Sequence, residues 1–358
     1  MSSFDENRIV SLIARHEAFW VRADVPAPLV GTSRWPYITT HDFSWNLPAA
    51  EGHLEPEMLD VGHFLPQYEA RFEERGALDG DLFWSAMPPR SIPWFEAIVG
   101  CAVYYSLRGA AMSGEVVRAG LDDFDPMATL EASPWFHKLI EFTEGLVDVS
   151  RGRFPISPPI GRGPWDILGA ARGATDMLLD LYDRPEELAR LADVCADVWI
   201  AVTRRLAEIV PPWHGGYVSQ AGIWAPTYSV LPQDDASTSV SRRMYLDVMA
   251  KADRRVAHAW TASIFHLHSA GLHIVDEVLG LLRGRALNVV IDGSGPTLEE
   301  LLPTLVHVQD AGAPLHVMAF SESDARGVVT GLQAKGLAVM HVRAPSEPAA
   351  IDGAPTTA

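Results

Sequence analysis

The sequence predicts an α/β protein built on parallel strands, and three observations carry that prediction. In the last third, short apolar runs alternate with amphipathic segments: "SIFHLHS", "LHIVDEVLGLLRG", "LNVVID", "TLEELLPTLVHVQDAG", "LHVMAF", "SDARGVVTGLQAKG" and "LAVMHVR". Alternation of this kind joins parallel strands through crossover helices, in a barrel or in a doubly wound sheet. Helix boundaries are also visible: Thr297 and Glu300 form a capping box ahead of a Leu-rich stretch, and Gly312 and Gly336 stand where helices should stop. Finally, 48 % hydrophobic and 21 % charged residues over 358 positions supply a sizeable core.

The remaining elements follow in chain order. Residues 1–150 are rich in Trp, Pro and charged turns, and only two helices stand out there, near 6–19 and 134–150. The most apolar window, 94–112, is interrupted by Glu96 and Arg108, so it reads as a buried helix and strand rather than a membrane span. "RFPISPPI" reads as a strand, followed by a helix opening at Gly163-Pro164. A long helix over 185–210 places Leu188, Leu191, Val198, Val202, Leu206 and Ile209 on one face. Residues 215–235 begin as a strand and continue as a loop. The stretch from Ala344, small and Pro-rich, is expected to be a mobile tail. No short-period repeat and no Gly-rich phosphate-binding fingerprint occurs.

A formal charge of −18 argues against nucleic acid and anionic membrane surfaces as partners, because both need a basic face. Two cysteines, Cys101 and Cys195, are too few for a disulfide framework, and the N-terminus carries charges through its apolar positions. Both features suit a cytoplasmic protein with a small-molecule substrate.

Candidate chemistry concentrates in "FHLHSAGLH". Strand alternation puts Phe265 and Leu267 on one face and His266 and His268 on the other; His273 falls in the following helix as a capping or surface residue. Asn288, Val290 and Asp292 share a face by the same parity, and His341 ends the last strand. His316 points either to this side or into packing. A carboxylate such as Asp292 at a strand end is costly to bury unless paired. Asp234 and Asp235 either serve the site or cap the next helix. Trp35, Trp45, Trp84, Trp94, Trp165 and Trp224 sit near Pro or Gly, where they line a pocket or fill the core; Trp224, close after Gln220, is the pocket candidate.

Four segments together resemble the uroporphyrinogen decarboxylase superfamily. "GRGPWDILGAARGATDMLLDLYDRPEELARL" carries its Gly-Pro helix opening and its Asp-x-Pro-Glu, here Gly163, Pro164, Gly173, Leu181, Asp183, Pro185 and Glu186. "QDDASTSVSRRMYLDVMAKADRRV" is similar to the acidic block after the family's fourth strand, "LHSAG" resembles its "LHSCG", and "NVVID" ends in Asp292 as its sixth strand does. The resemblance spans about 150–342 and implies a single-domain TIM (β/α)8 barrel over 1–343, with N-terminal additions and the active site at the strands' C-terminal ends. It also implies a homodimer.

The resemblance reaches two chemistries. "VGHFLPQYEAR" places His63 where the decarboxylase has a substrate-binding arginine, and that exchange argues against uroporphyrinogen itself as substrate. In the methylcobamide:coenzyme M methyltransferases zinc is held by His-x-Cys and a distant Cys. Here His268 matches the histidine, while Ala270 and His341 stand at or near the cysteine positions. A thiolate zinc site is therefore not expected; an imidazole or imidazole–carboxylate site, using His266, His268 and His341 or Asp292 for zinc or another divalent metal, remains chemically reasonable. The expected function is methyl transfer between a small substrate and a corrinoid-type acceptor, with a corrinoid protein as partner; His266, His268 and Asp292 are the catalytic candidates and His63, Gln220, Trp224 and Asp235 the substrate-binding ones. The alternative is a decarboxylase or lyase of a small carboxylated substrate, needing no cofactor.

Overall fold

The computed structural model describes residues 3–34, 52–106, 111–115 and 124–343; Trp35, Trp45, Arg108 and the tail from Ala344 lie outside the described residues. Seven barrel strands are laid down in chain order: β1 (Leu29–Arg34), β2 (Gly161–Arg162), β3 (Pro232–Gln233), β4 (Ala262–His268), β5 (Ala286–Ile291), β6 (Leu315–Ala319) and β7 (Leu337–Arg343). They neighbour one another in the order β1-β7-β6-β5-β4-β3-β2, all parallel, with Ser229–Val230 beside the start of β4. Pairing of the first strand with the last is barrel order, and it removes the doubly wound alternative.

The gap between β1 and β2 is crossed by residues 80–87 rather than by a regular ladder. Gly31 bridges Gly80, the Asp81 N–H donates to the Val30 carbonyl at 2.8 Å, and Ala86 bridges Ile156 in parallel. The circuit is that of a TIM (β/α)8 barrel. "RFPISPPI" is correspondingly irregular, with regular pairing only at Ile156 and at β2 beyond it. Residues 215–235 contain more than one strand: a hairpin, Tyr217–Val218 with Trp224–Ala225, precedes Ser229–Val230 and β3.

Helices cover the outside: α1 (Ser3–Trp20), α2 (Val61–Arg75), α3 (Pro134–Ser150), α4 (Pro164–Arg172), α5 (Ala174–Asp183), α6 (Pro185–Ile209), α7 (Ala250–His258), α8 (Val275–Leu281), α9 (Leu298–Asp310) and α10 (Glu322–Gly331). Their ends follow local chemistry. Pro occupies the first turn of α3, α4 and α6, and the Thr297–Glu300 capping box closes both ways at α9. Gly312 and Gly336 have positive φ after α9 and α10, at 87° and 63°. The predicted face of α6 is buried through Leu188, Leu191, Val198, Val202 and Leu206, each contributing roughly 1.5–3 kcal/mol of transfer free energy.

Strand parity separates two apolar regions. Phe265, Leu267, Leu287, Val289, Leu315, Val317, Leu337 and Val339 pack outward against the helices, whereas Ile264, Ala286, Ala338, Met340 and Val342 gather with Leu29 and Phe19 inside the barrel. Helix α1 closes the end where the strands begin. Its fully buried His16 accepts from the Trp224 N–H at 2.9 Å through Nδ1 and donates from Nε2 to the Asp81 carbonyl at 2.8 Å.

Gly31 sits at the closure point, where an added Cβ would lie 2.4 Å from the Asp79 carbonyl oxygen and 2.7 Å from Leu82. Gly31→Ala is expected to destabilise the protein by about 1–3 kcal/mol through overpacking. Gly280→Ala, on α8 with open space around it, is expected to stabilise by up to about 1 kcal/mol. Urea unfolding midpoints check both signs.

Candidate functional site

The C-terminal ends of the strands open on a cavity of about 250 Å³. Its walls are mainly apolar, from Met87, Ile160, Leu231, Val290, Met318 and Met340, while His266, His268, Asp292 and Gln233 gather on one side. The register produces that grouping: Gln233 lies opposite His266 across β3 and β4, His266 opposite Asn288, and His268 opposite Val290 across β4 and β5.

Three potential ligand atoms, one each from Asp235, His266 and His268, lie within 4.8 Å of one another. The hydrogen bonds behind them fix which atoms face inward. The His268 Nδ1–H donates to Asp292 Oδ1 at 2.7 Å, while Asp292 Oδ2 accepts from the Ser269 N–H at 3.1 Å and its hydroxyl at 2.9 Å. Both oxygens of Asp292 are therefore engaged in holding the ring and its turn. His268 Nε2 consequently presents a lone pair 3.4 Å from Asp235 Oδ1. Two acceptors facing each other need a proton or a cation between them. The His266 Nδ1–H donates to Asn288 Oδ1 at 2.5 Å, leaving Nε2 buried without a hydrogen-bond partner. Burial lowers His266 to about 4, so near neutral pH it offers a lone pair rather than a proton.

Asp235 is oriented from two sides. Gln233 Nε2 donates to its carboxylate at 2.8 and 2.9 Å, and its backbone N–H donates to the buried Asp166 carboxylate at 3.1 Å. Two imidazoles and a carboxylate, each held by an outer hydrogen bond, form a donor set suited to a first-row divalent metal with coordination positions left for substrate.

The sequence candidates separate clearly. His266, His268, Asp292 and Gln220 line the cavity and Asp235 joins the ligand group. Gln220 Nε2 donates to the Pro159 carbonyl at 2.7 Å and leaves a buried Oε1 as an acceptor. His341 shares the outward face of Leu337 and Val339, so it does not meet the other imidazoles. Trp224 packs with Ile9, Leu12, Phe83 and Trp213 beneath α1 and does not line the cavity; its hairpin turns it toward the closed end. His63 stands half-exposed on α2 beside Asp60, outside the cavity lining. His273 donates through a ring nitrogen to the Val240 carbonyl at 2.8 Å.

The sequence gives no sign of Arg90, Gln233 or Asn288 as a ring partner, and it leaves open the side of β6 that His316 takes, which is the inward one beside Asn288. Arg90 brings the guanidinium among the described lining residues, from a Pro-flanked segment without periodicity. The "PQDD" strand end could have drawn attention to Gln233 through its parity with Asp235.

Behind Asp235 lie more buried acids. Burial pushes Asp253 up to about 7, and burial with neighbouring carboxylates holds Asp166 and Asp234 well above the usual range. A carboxyl raised in the folded state contributes stability below its unfolded pKa that is lost as pH rises through the folded value. Asp253→Asn is thus expected to be neutral near pH 4 and stabilising by roughly 2–4 kcal/mol at pH 8, measured by urea unfolding at both pH values.

No protein family's sequence profile matches this chain, and no curated protein matches it. A solved structure does: a methyltransferase from Methanosarcina mazei, with TM-score 0.67, 12 % sequence identity and 94 % of each chain covered. No helix among the described residues is long and apolar enough to cross a membrane. The chain therefore shares the fold of that methyltransferase over nearly its whole length.

Proposed function

We propose that this protein is a methyltransferase of the uroporphyrinogen decarboxylase-like barrels, with Asp235, His266 and His268 holding a divalent metal such as zinc. The observation that carries this reading is the convergence of their three ligand atoms within 4.8 Å at the mouth of a barrel similar to a methyltransferase. When bound, such an ion would act as a Lewis acid toward a substrate heteroatom.

The chain's own residues supply the rest. Asp292 keeps the proton of His268 on Nδ1 and Gln233 aims the Asp235 carboxylate, so both inward faces are set before substrate arrives. Met87, Ile160, Leu231, Met318 and Met340 exclude water from the reacting group. The cavity's size fits a small-molecule substrate, with Arg90 and Gln220 as polar contacts. The acceptor in this reading is a corrinoid carried by a partner protein, the chain works as a homodimer, and the setting is the cytoplasm.

The His268–Asp292 pair facing an apolar cavity favours one second reading, a cofactor-free decarboxylase or lyase of a small carboxylate. There His268 would carry the proton delivered to the carbanion.

Two measurements separate these readings. Purified protein is expected to hold one divalent metal per chain, with affinity lowered on the order of 10–100-fold by Asp292→Asn and abolished by His268→Ala. Visible spectra of cob(I)alamin mixed with methylated thiols, amines and aryl ethers are expected to show methylcobalamin forming. A chain that binds no metal and moves no methyl group, yet releases CO2 from small carboxylates, would sink the methyltransferase reading.

A further inference from the structure

Beneath the cavity a chain of polar side chains runs inward from His266. Its Nδ1 lies 2.5 Å from Asn288 Oδ1, and Asn288 Nδ2 lies 2.7 Å from His316 Nδ1 and donates to the His316 carbonyl at 3.2 Å. Asn288 and His316 are both fully buried. Three polar residues in register across β4, β5 and β6 occupy barrel positions where apolar side chains would pack at lower cost.

We propose that Asn288, locked by His316, is the positioning residue that holds the His266 proton on Nδ1 and so keeps the Nε2 lone pair turned to the cavity. The argument is one of acceptors. An amide can turn and exchange its oxygen for its nitrogen at little intrinsic cost. In this site the turned amide would point its oxygen at the His316 carbonyl, which accepts whichever nitrogen of the His316 ring holds the proton. That arrangement is excluded in a dry interior, where an unmet acceptor pair costs several kcal/mol. The amide is therefore fixed with its oxygen toward His266. Since an amide oxygen only accepts, His266 must donate from Nδ1. Burial lowers His316 to about 3, so its ring stays neutral and adds no charge beside the Asn288 amide.

The assignment explains the expense of the core. His268 obtains the same tautomer from Asp292, a carboxylate at the partly open mouth. His266 lies one layer deeper, where a second charge would be costly, and a neutral amide backed by a neutral imidazole gives the same result without one. The proposal rests on the metal reading only for its purpose; the tautomer itself belongs to the metal-free protein.

The test is long-range nitrogen–proton NMR on metal-free protein labelled with 15N-histidine, the His266 signals being identified by their loss in His266→Gln. The expected result is an Nδ1–H tautomer for His266 in the wild type. A proton on Nε2 there overturns the proposal without any variant. Asn288→Leu, which removes the acceptor, is expected to shift His266 to mixed tautomers and to weaken zinc binding on the order of 10–100-fold in chelator competition. Asn288→Asp, which keeps an acceptor, is expected to retain the tautomer, and His316→Phe to give a smaller shift because the carbonyl still accepts. An unchanged tautomer in folded Asn288→Leu overturns the proposal. If that variant does not fold, the wild-type spectrum and His316→Phe decide. A wild type with the expected tautomer and no zinc binding leaves the relay standing and removes the metal reading.

Discussion

Burying imidazoles at the mouth of a barrel imposes one condition on the rest of this molecule: the ring nitrogens of His266 and His268 that turn away from the cavity need partners of the right polarity. Parallel strands meet the condition through register. Gln233, His266, Asn288 and His316 lie in one row across four strands; His266, Asn288 and His316 find partners on the next strand, and Gln233 finds its own in Asp235. The row above, His268, Val290, Met318 and Met340, is mostly apolar and forms the cavity wall. Polarity beneath and apolar surface above concentrate the unpaired lone pairs at one corner of the mouth.

Barrel closure serves the same arrangement from a distance. β1 and β7 pair in parallel register, and Gly31 lets residues 79–82 approach β1 closely. Helix α1 supports the closure from below, where His16 joins the Trp224 and Asp81 backbones of two segments that do not pair with each other in a ladder. Among the described residues, the small N-terminal segments thus support the barrel without joining the group of Asp235, His266 and His268.

Much of this was legible in the sequence where the signal is local. A period of two places His266 with His268 and Asn288 with Asp292, and a period of 3.6 gives α6 its buried face. Capping residues delimit α9 because they act within one turn. The last strand shows where local signals fail: "LAVMHVR" is apolar at both parities, as a strand buried on two faces must be, so nothing in it says which side His341 takes. Trp224 was misplaced for a related reason. Its hairpin can turn to either end of the barrel, and the choice is made by His16 about two hundred residues earlier. Arg90 and residues 80–87 were unreadable because irregular backbone that closes a sheet is fixed by non-local contacts alone.

Ala270 and His341, which stand at or near the cysteine positions of the zinc sites the sequence resembles, therefore matter to the proposed site. In this barrel the last strand turns His341 outward, so a ligand from that strand would have to occupy Met340 or Val342 instead, and both are apolar. In the proposed site the third donor would come from the opposite side, from Asp235 just past β3, where Gln233 and Asp166 already fix the loop. One carboxylate and a second imidazole in place of two thiolates would make a harder, less electron-rich centre. In the proposed site such a centre would bind thiols less strongly and oxygen or nitrogen donors comparatively better, so the side of the mouth that supplies the third ligand would set its chemistry as much as His268 does.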